Sequence, residues 1–148
     1  MSVSYDVFTG AFLDKVQEYN FPIKEHERNA MTDGFMKRAI AAFKSICKYD
    51  LSSTDDDITR EFDVDIAPED LEELADIISE GMLVQWMKPY LYKQENLENI
   101  LNTRDFTSYS PAELLSKIGA AYKSVQRDFR NMMREYSYNH GDLTDLHL

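Results

Sequence analysis

The stretch SPAELLSKIGAAYKSVQRDFRNMMREYSYNHG, residues 110–141, decides the fold. Ser110 offers an N-cap hydroxyl, Pro111 sits at N1, where a backbone N–H would have no helical partner, and Glu113 at N3 completes a capping box. Leu115, Ile118, Tyr122, Val125, Phe129, Met132 and Tyr136 follow at alternating steps of three and four. That spacing lays one apolar seam along a helix of about six turns or more. Gly141, with no Cβ, is placed to end it. The seam reads as the inner face of an intramolecular bundle, with packing between subunits as the alternative.

Helical patterning continues upstream. Pro68 opens another helix, with Glu69 and Asp70 at the positive end of its dipole and Leu71, Leu74, Ile77 and Ile78 as its stripe. From Gly81 the pattern turns apolar nearly all round, through Met82, Leu83, Val84, Trp86 and Met87, so other helices or a partner subunit must enclose this helix. Pro89 breaks or kinks it, and a further element is expected over Pro89–Asn102. Ser4 is the expected N-cap of a first helix with the stripe Val7, Phe8, Ala11, Phe12 and Val16, ending before Asn20-Phe21-Pro22. A second helix starts between Glu25 and Thr32 and runs to about Lys48. Its face is Met31, Phe35, Ala39, Phe43 and Ile46, and Lys37, Arg38, Lys44 and Lys48 complement its dipole.

Tyr49–Ala67 is irregular. Phe62-Asp63-Val64-Asp65-Ile66 alternates with period two, but no second strand of comparable strength is evident. The segment therefore reads as one long acidic loop, dispensable for folding, that could pair with another chain. The expectation is all-α: a single domain over residues 1–148, a bundle of about four to five helices with a long last helix and a short tail at 141–148.

Composition agrees. The 148 residues are 43% hydrophobic and 29% charged, with five Gly and four Pro, which excludes disordered and fibrous classes. No apolar run is long enough for a bilayer. Residues 1–10 lack the basic leader and apolar stretch of a signal peptide, and the single Cys47 excludes a disulfide framework, so a reducing, cytoplasmic origin is expected.

Acids outnumber bases 27 to 16, giving a net charge of −11. Twelve of the acids fall between Asp55 and Glu80 against Arg60 alone, so that segment carries the whole imbalance. Such a field repels phosphate, and the strip Arg127, Arg130 and Arg134 is interrupted by Asp128 and Glu135. The acidic segment reads as a solvated face, or as a surface for a basic partner.

Catalytic equipment is not evident. The five glycines stand singly, so no phosphate loop or nucleophile elbow can be built. Asp55, Asp57, Thr59 and Glu61 alternate as in a calcium loop, but the turn glycine is missing. His140, Asp142, Asp145 and His147 have zinc-ligand chemistry, yet read as a solvated chain end. Cys47 reads as a small apolar residue. No catalytic, cofactor-binding or metal residues are expected.

The strings Asp33-Gly34-Phe35-Met36-Lys37-Arg38-Ala39-Ile40, Ile78-Ser79-Glu80-Gly81-Met82, Trp86-Met87-Lys88-Pro89-Tyr90 and Glu135 through Leu143 resemble small structural proteins of tailed bacteriophages and prophages of Gram-positive hosts. Within that group the chain is most similar to head-completion, or head–tail adaptor, proteins, although it is longer than the compact ones. The resemblance implies a non-enzymatic virion subunit, made in the host cytoplasm, that forms a homo-oligomeric ring at the neck. Its implied partners are the portal protein and a tail-side neck or terminator protein, with no membrane, no sequence-specific nucleic acid, and DNA passing through an acidic lumen. The interaction residues expected are Asp55, Asp56, Asp57, Phe62 and Val64 in the loop, Trp86, the aromatic anchor Tyr138, and Leu143, Leu146 and Leu148 in the tail. A tail-completion protein and a soluble binding or regulatory module with an acidic docking surface are the alternatives.

Overall fold

Helix α3, Pro68–Met87, is the axis around which the other described helices pack. The computed structural model describes residues 2–16, 25–88 and 111–140, with the backbone alone for 25 and 111–118. These residues form α1 (Asp6–Lys15), α2 (Glu25–Phe43), α3 and α4 (Pro111–His140), with the two-residue strands β1 (Val3–Ser4), β2 (Asp55–Asp56) and β3 (Glu61–Phe62). The fold is helical, as its sequence predicts.

The all-round apolar character of α3 has a direct cause: it packs on α1, α2 and α4. Leu74, Ile77, Ile78, Met82, Val84 and Trp86 are buried on it. Gly81 marks the closest approach. A Cβ there would lie 2.8 Å from the Phe129 ring of α4 and 2.9 Å from the Ala39 methyl of α2, so the three helices meet where one has no side chain. Pro68 stands at the helix start as expected, and the Leu71 N–H donates to the Ala67 carbonyl at 2.9 Å. Lys15 of α1 reaches across to Glu80 at 2.7 Å.

The seam of α4 faces this core, with Phe129 and Tyr136 buried and Tyr122, Val125 and Met132 packed against it. Of the predicted stripe, Phe8 and Phe12 of α1 and Val16 just past its end are buried, while Val7 and Ala11 are half-buried. Tyr5, not Ser4, holds the cap position of α1, though the Ser4 hydroxyl still accepts the Asp6 N–H at 3.2 Å.

Two expectations change. The inner face of α2 is Thr32, Met36, Ala39, Ile40 and Phe43, while Met31, Phe35 and Ile46 are only half-buried. Neighbouring stripes differ by about 100° of rotation, and only the position of α3 selects between them. Thr32 is tolerated inside because its hydroxyl donates to the Arg28 carbonyl at 3.0 Å. The helix also stops at Phe43, whose carbonyl accepts the Ile46 and Cys47 N–H groups, both at 3.1 Å, so Lys44 and Lys48 lie past its end.

The second change concerns Tyr49–Ala67, which is no loose loop. β2 and β3 form an antiparallel hairpin, Asp55 opposite Phe62 and Asp56 opposite Glu61, and β1 adds to the other side of β3 in the order β1-β3-β2. Phe62, Leu51 and Ile66 anchor the segment in the core. The missing partner strands were overlooked because each is two residues long, below any readable alternation. Dispensability for folding is therefore withdrawn: residues 52–57 contain β2. The expected Asn20-Phe21-Pro22 turn, the element over Pro89–Asn102, the caps Ser110 and Gly141, the Leu115 and Ile118 side chains and the tail 141–148 lie outside the described residues.

Candidate interaction surface

The hairpin loop joins β2 to β3 through Asp57-Ile58-Thr59-Arg60, a four-residue connection of the common type. Asp56 organises it: its carboxylate accepts the Ile58 N–H at 2.9 Å and the Thr59 N–H at 3.4 Å. Arg60 closes it in the left-handed region, φ 55°, where a side chain is strained. The surrounding contacts over-determine that conformation. The Arg60 carbonyl accepts the Tyr5 N–H at 2.9 Å, and its guanidinium forks onto Asp33 of α2 with two bonds of 2.8 Å and onto Asp6 of α1 at 2.9 Å. It also lies 5.8 Å from the Tyr5 ring centre.

A second clamp works from the other strand. The Tyr5 hydroxyl donates to Asp57 at 2.9 Å, and Lys37 of α2 pairs with Asp57 at 2.5 Å and Asp55 at 3.6 Å. Lys37 and Tyr5 hold the Asp57 carboxyl below its ordinary range; burial, then Asp57 itself, push the Tyr5 phenol well up. Hairpin, α1 and α2 thus become one rigid corner. At its tip stands Ile58, 95% exposed. A β-branched apolar side chain on a fixed loop is an unusual thing to offer water.

Beside the hairpin runs a groove along α2. One part, 310 Å³, is lined by Ile40, Phe43, Lys44, Cys47 and Leu51 among others. The next, 210 Å³, shares Ile40, Lys44 and Leu51 and reaches Ala41, Lys37, Asp55 and Phe62 at the hairpin. Its far wall is a turn held by Asp50, which accepts the Ser52 and Ser53 N–H groups at 3.1 Å each and both hydroxyls, and these bonds keep its carboxyl low. Ile40, Phe43 and Leu51 form its floor, lysine stems rim it, and polar groups, among them Tyr49, Asp50, Ser52 and Ser53, share the lining of the larger part. Burial pushes the Cys47 thiol up, which leaves it a poor nucleophile.

The structure distributes the predicted interaction residues unevenly. Asp55, Asp56 and Asp57 are together on the hairpin, but they serve its own clamps and turn. Phe62 is core, its ring tilted at 4.7 Å from Tyr5 and edge-on at 5.7 Å from Phe8, and Trp86 is 9% exposed beside Phe12; neither offers a surface. Val64 packs half-buried on the core. Tyr138 on α4 is 63% exposed and free for contact. Leu143, Leu146 and Leu148 lie outside the described residues. Thr59 and Glu61 of the calcium-like pattern sit on the hairpin, whose carboxylates Asp55 and Asp57 meet Lys37 instead of one another. Sequence reasoning missed Ile58, Lys37 and Arg60 as the residues that shape this surface, although a lone isoleucine amid Asp and Thr was the signal for the first.

Among the other acids of the segment, Glu69, Glu72 and Asp76 follow at steps of three and four on α3, are exposed, and form no ion pair with another described residue. Comparison with family models, with curated proteins and with solved structures finds no match.

Proposed function

We propose that this chain is a non-enzymatic structural subunit of a phage neck, assembling as a ring that joins the portal to the tail. The carrying observation is a fixed apolar knob, Ile58, next to an apolar-floored groove on α2. In the ring Ile58 of one copy enters the groove of the next. A knob and groove at different places on one surface make a heterologous contact, which closes into a ring when the rotation allows. Burying one isoleucine contributes about 1.5–3 kcal/mol, too little to overcome the entropy of association alone. The ring accordingly waits for the portal to gather its copies. The strip Glu69, Glu72 and Asp76 then faces the lumen, where repulsion keeps DNA sliding.

The same strip favours one second reading, a binding module that docks a basic partner through α3. The test is complementation of phage assembly with Ile58→Asp and Ala41→Glu, which alter knob and groove at exposed positions. Both proteins are expected to fold and to leave heads and tails unjoined. Normal yields of joined particles from both variants would overturn the knob-and-groove ring. A Glu72→Lys variant that alone fails, with the other two normal, would favour the second reading.

A further inference from the structure

The end of α4 meets the start of α3 at a small constellation that the interaction surface does not use. Asp70 and Glu73 are three apart on α3 and share one face of it. His140, at the last position of α4, brings its Nε2 to 2.8 Å from a Glu73 carboxylate oxygen. One ligand atom from each of Asp70, Glu73 and His140 lies within 4.8 Å of the others, and all three side chains are half-buried.

Each group is also oriented from behind. The Tyr49 hydroxyl donates to Asp70 Oδ2 at 2.6 Å, leaving the other carboxylate oxygen. The His140 ring rests on the Tyr136 ring at 4.5 Å, and Tyr136 is itself fixed, with its hydroxyl accepting the Lys48 N–H at 3.1 Å and its ring against Phe43 at 4.9 Å. Outer partners of this kind hold metal ligands in place.

We propose that Asp70, Glu73 and His140 form a divalent-metal site, with Zn²⁺ as its ion, that staples the end of α4 to the start of α3. One imidazole and two carboxylates are zinc donors, and three protein ligands leave a fourth position for water or a partner's side chain. Two atoms bound to one tetrahedral zinc at about 2.0–2.2 Å each stand about 3.3–3.6 Å apart, so closing the set takes side-chain rotations that move ligand atoms by roughly an ångström. Zinc replaces the direct His140–Glu73 hydrogen bond, and the proton of that bond passes to solvent. Lys48, 3.9 Å from Asp70 and more than half exposed, is displaced from the carboxylate by the divalent ion. The site does not depend on the neck reading: none of its three ligands lines the groove, although Lys48 and Tyr49, which do, meet Asp70, and Ile58 plays no part in it.

The experiment is titration of the full chain with Zn²⁺ against a chromophoric chelator, with Co²⁺ as the spectroscopic probe. One ion per chain is expected, and bound Co²⁺ should show the visible ligand-field bands of a low-coordinate site. His140→Gln and Glu73→Gln should each weaken binding at least tenfold and abolish those bands, while His26→Gln should change neither. Asp70→Asn keeps an acceptor for Tyr49 and should weaken binding without loosening the apo fold, which separates ligation from structure. Stoichiometric binding that survives His140→Gln and Glu73→Gln, or no binding above that of the chelator control, overturns the site.

Discussion

Helix α3 and the hairpin at residues 55–62 both sit against α1 and α2, yet they are held by different physics. Around Gly81 the surroundings are apolar, with Phe129, Ala39, Met82 and Ile78 in one buried core and no room for a Cβ between Phe129 and Ala39. At the hairpin the strands are two residues long, Phe62 is the buried apolar anchor, and the rest of the fastening is charged: Arg60 on Asp33 and Asp6, Lys37 on Asp55 and Asp57. Apolar packing is insensitive to salt and pH and tolerates no change of volume. The charged corner tolerates volume change but depends on each partner being present and ionised. The acidic segment that looks like a solvated patch is thus partly a fastening.

The largest break in this contrast is expected in the packed region. Phe129→Ala should lower stability by about 3–5 kcal/mol, as deletion of a buried aromatic does. Gly81→Val should lower it by about 1–3 kcal/mol through overpacking. The two sites touch, so the double variant should lose less than the sum, the valine occupying space that Phe129 vacates. Urea midpoints of all three measure this; strict additivity would show that the helices do not meet as described.

At the hairpin, Arg60→Ala should lower stability by about 1–2 kcal/mol, since it removes two charge-assisted bonds to the largely shielded Asp33, while the bond to the exposed Asp6 adds little. Arg60→Gly loses the same bonds but relieves the left-handed backbone and should recover up to about 1 kcal/mol of that loss. Salt should reduce the Arg60 effect and leave that of Phe129 alone. Equal salt dependence at both sites would dissolve the distinction.

Tyr136 joins both kinds of region, its ring in the core and its hydroxyl on a backbone N–H. Tyr136→Phe should lower stability by about 1 kcal/mol at neutral pH, the worth of one hydrogen bond. Burial pushes its phenol from an ordinary value of 10 up to about 12. The folded state therefore holds the proton more tightly than the unfolded chain. That stability is complete below pH 10 and is lost as the pH rises from 10 through 12, because the unfolded phenol ionises first. Alkaline unfolding curves should be less steep for Tyr136→Phe over that window. Tyr5 contributes in the same direction, so the slope should shrink and not vanish. The smallest effect belongs to Ile58→Asp, within about 0.5 kcal/mol of wild type in melting experiments, since an exposed side chain has no folded contacts to lose.

The sequence by itself determined the helices. Three-four periodicity, Pro68 and Pro111 at N1, and the all-round apolar run after Gly81 are local or nearly local signals, readable because a helix satisfies its own backbone. The apolar run even foretold that α3 would be central. Tertiary structure decided what depends on residues far apart in the chain. The Thr32–Met36 side of α2 is inside because α3 lies there. Strands as short as Val3–Ser4 and Glu61–Phe62 exist only through pairing across more than fifty residues, and a two-residue strand carries no pattern of its own. The meeting of His140 with Glu73 is of the same kind: sequence spacing offered the histidine partners in its own tail, and the antiparallel packing of α4 on α3 supplied others, 67 positions away.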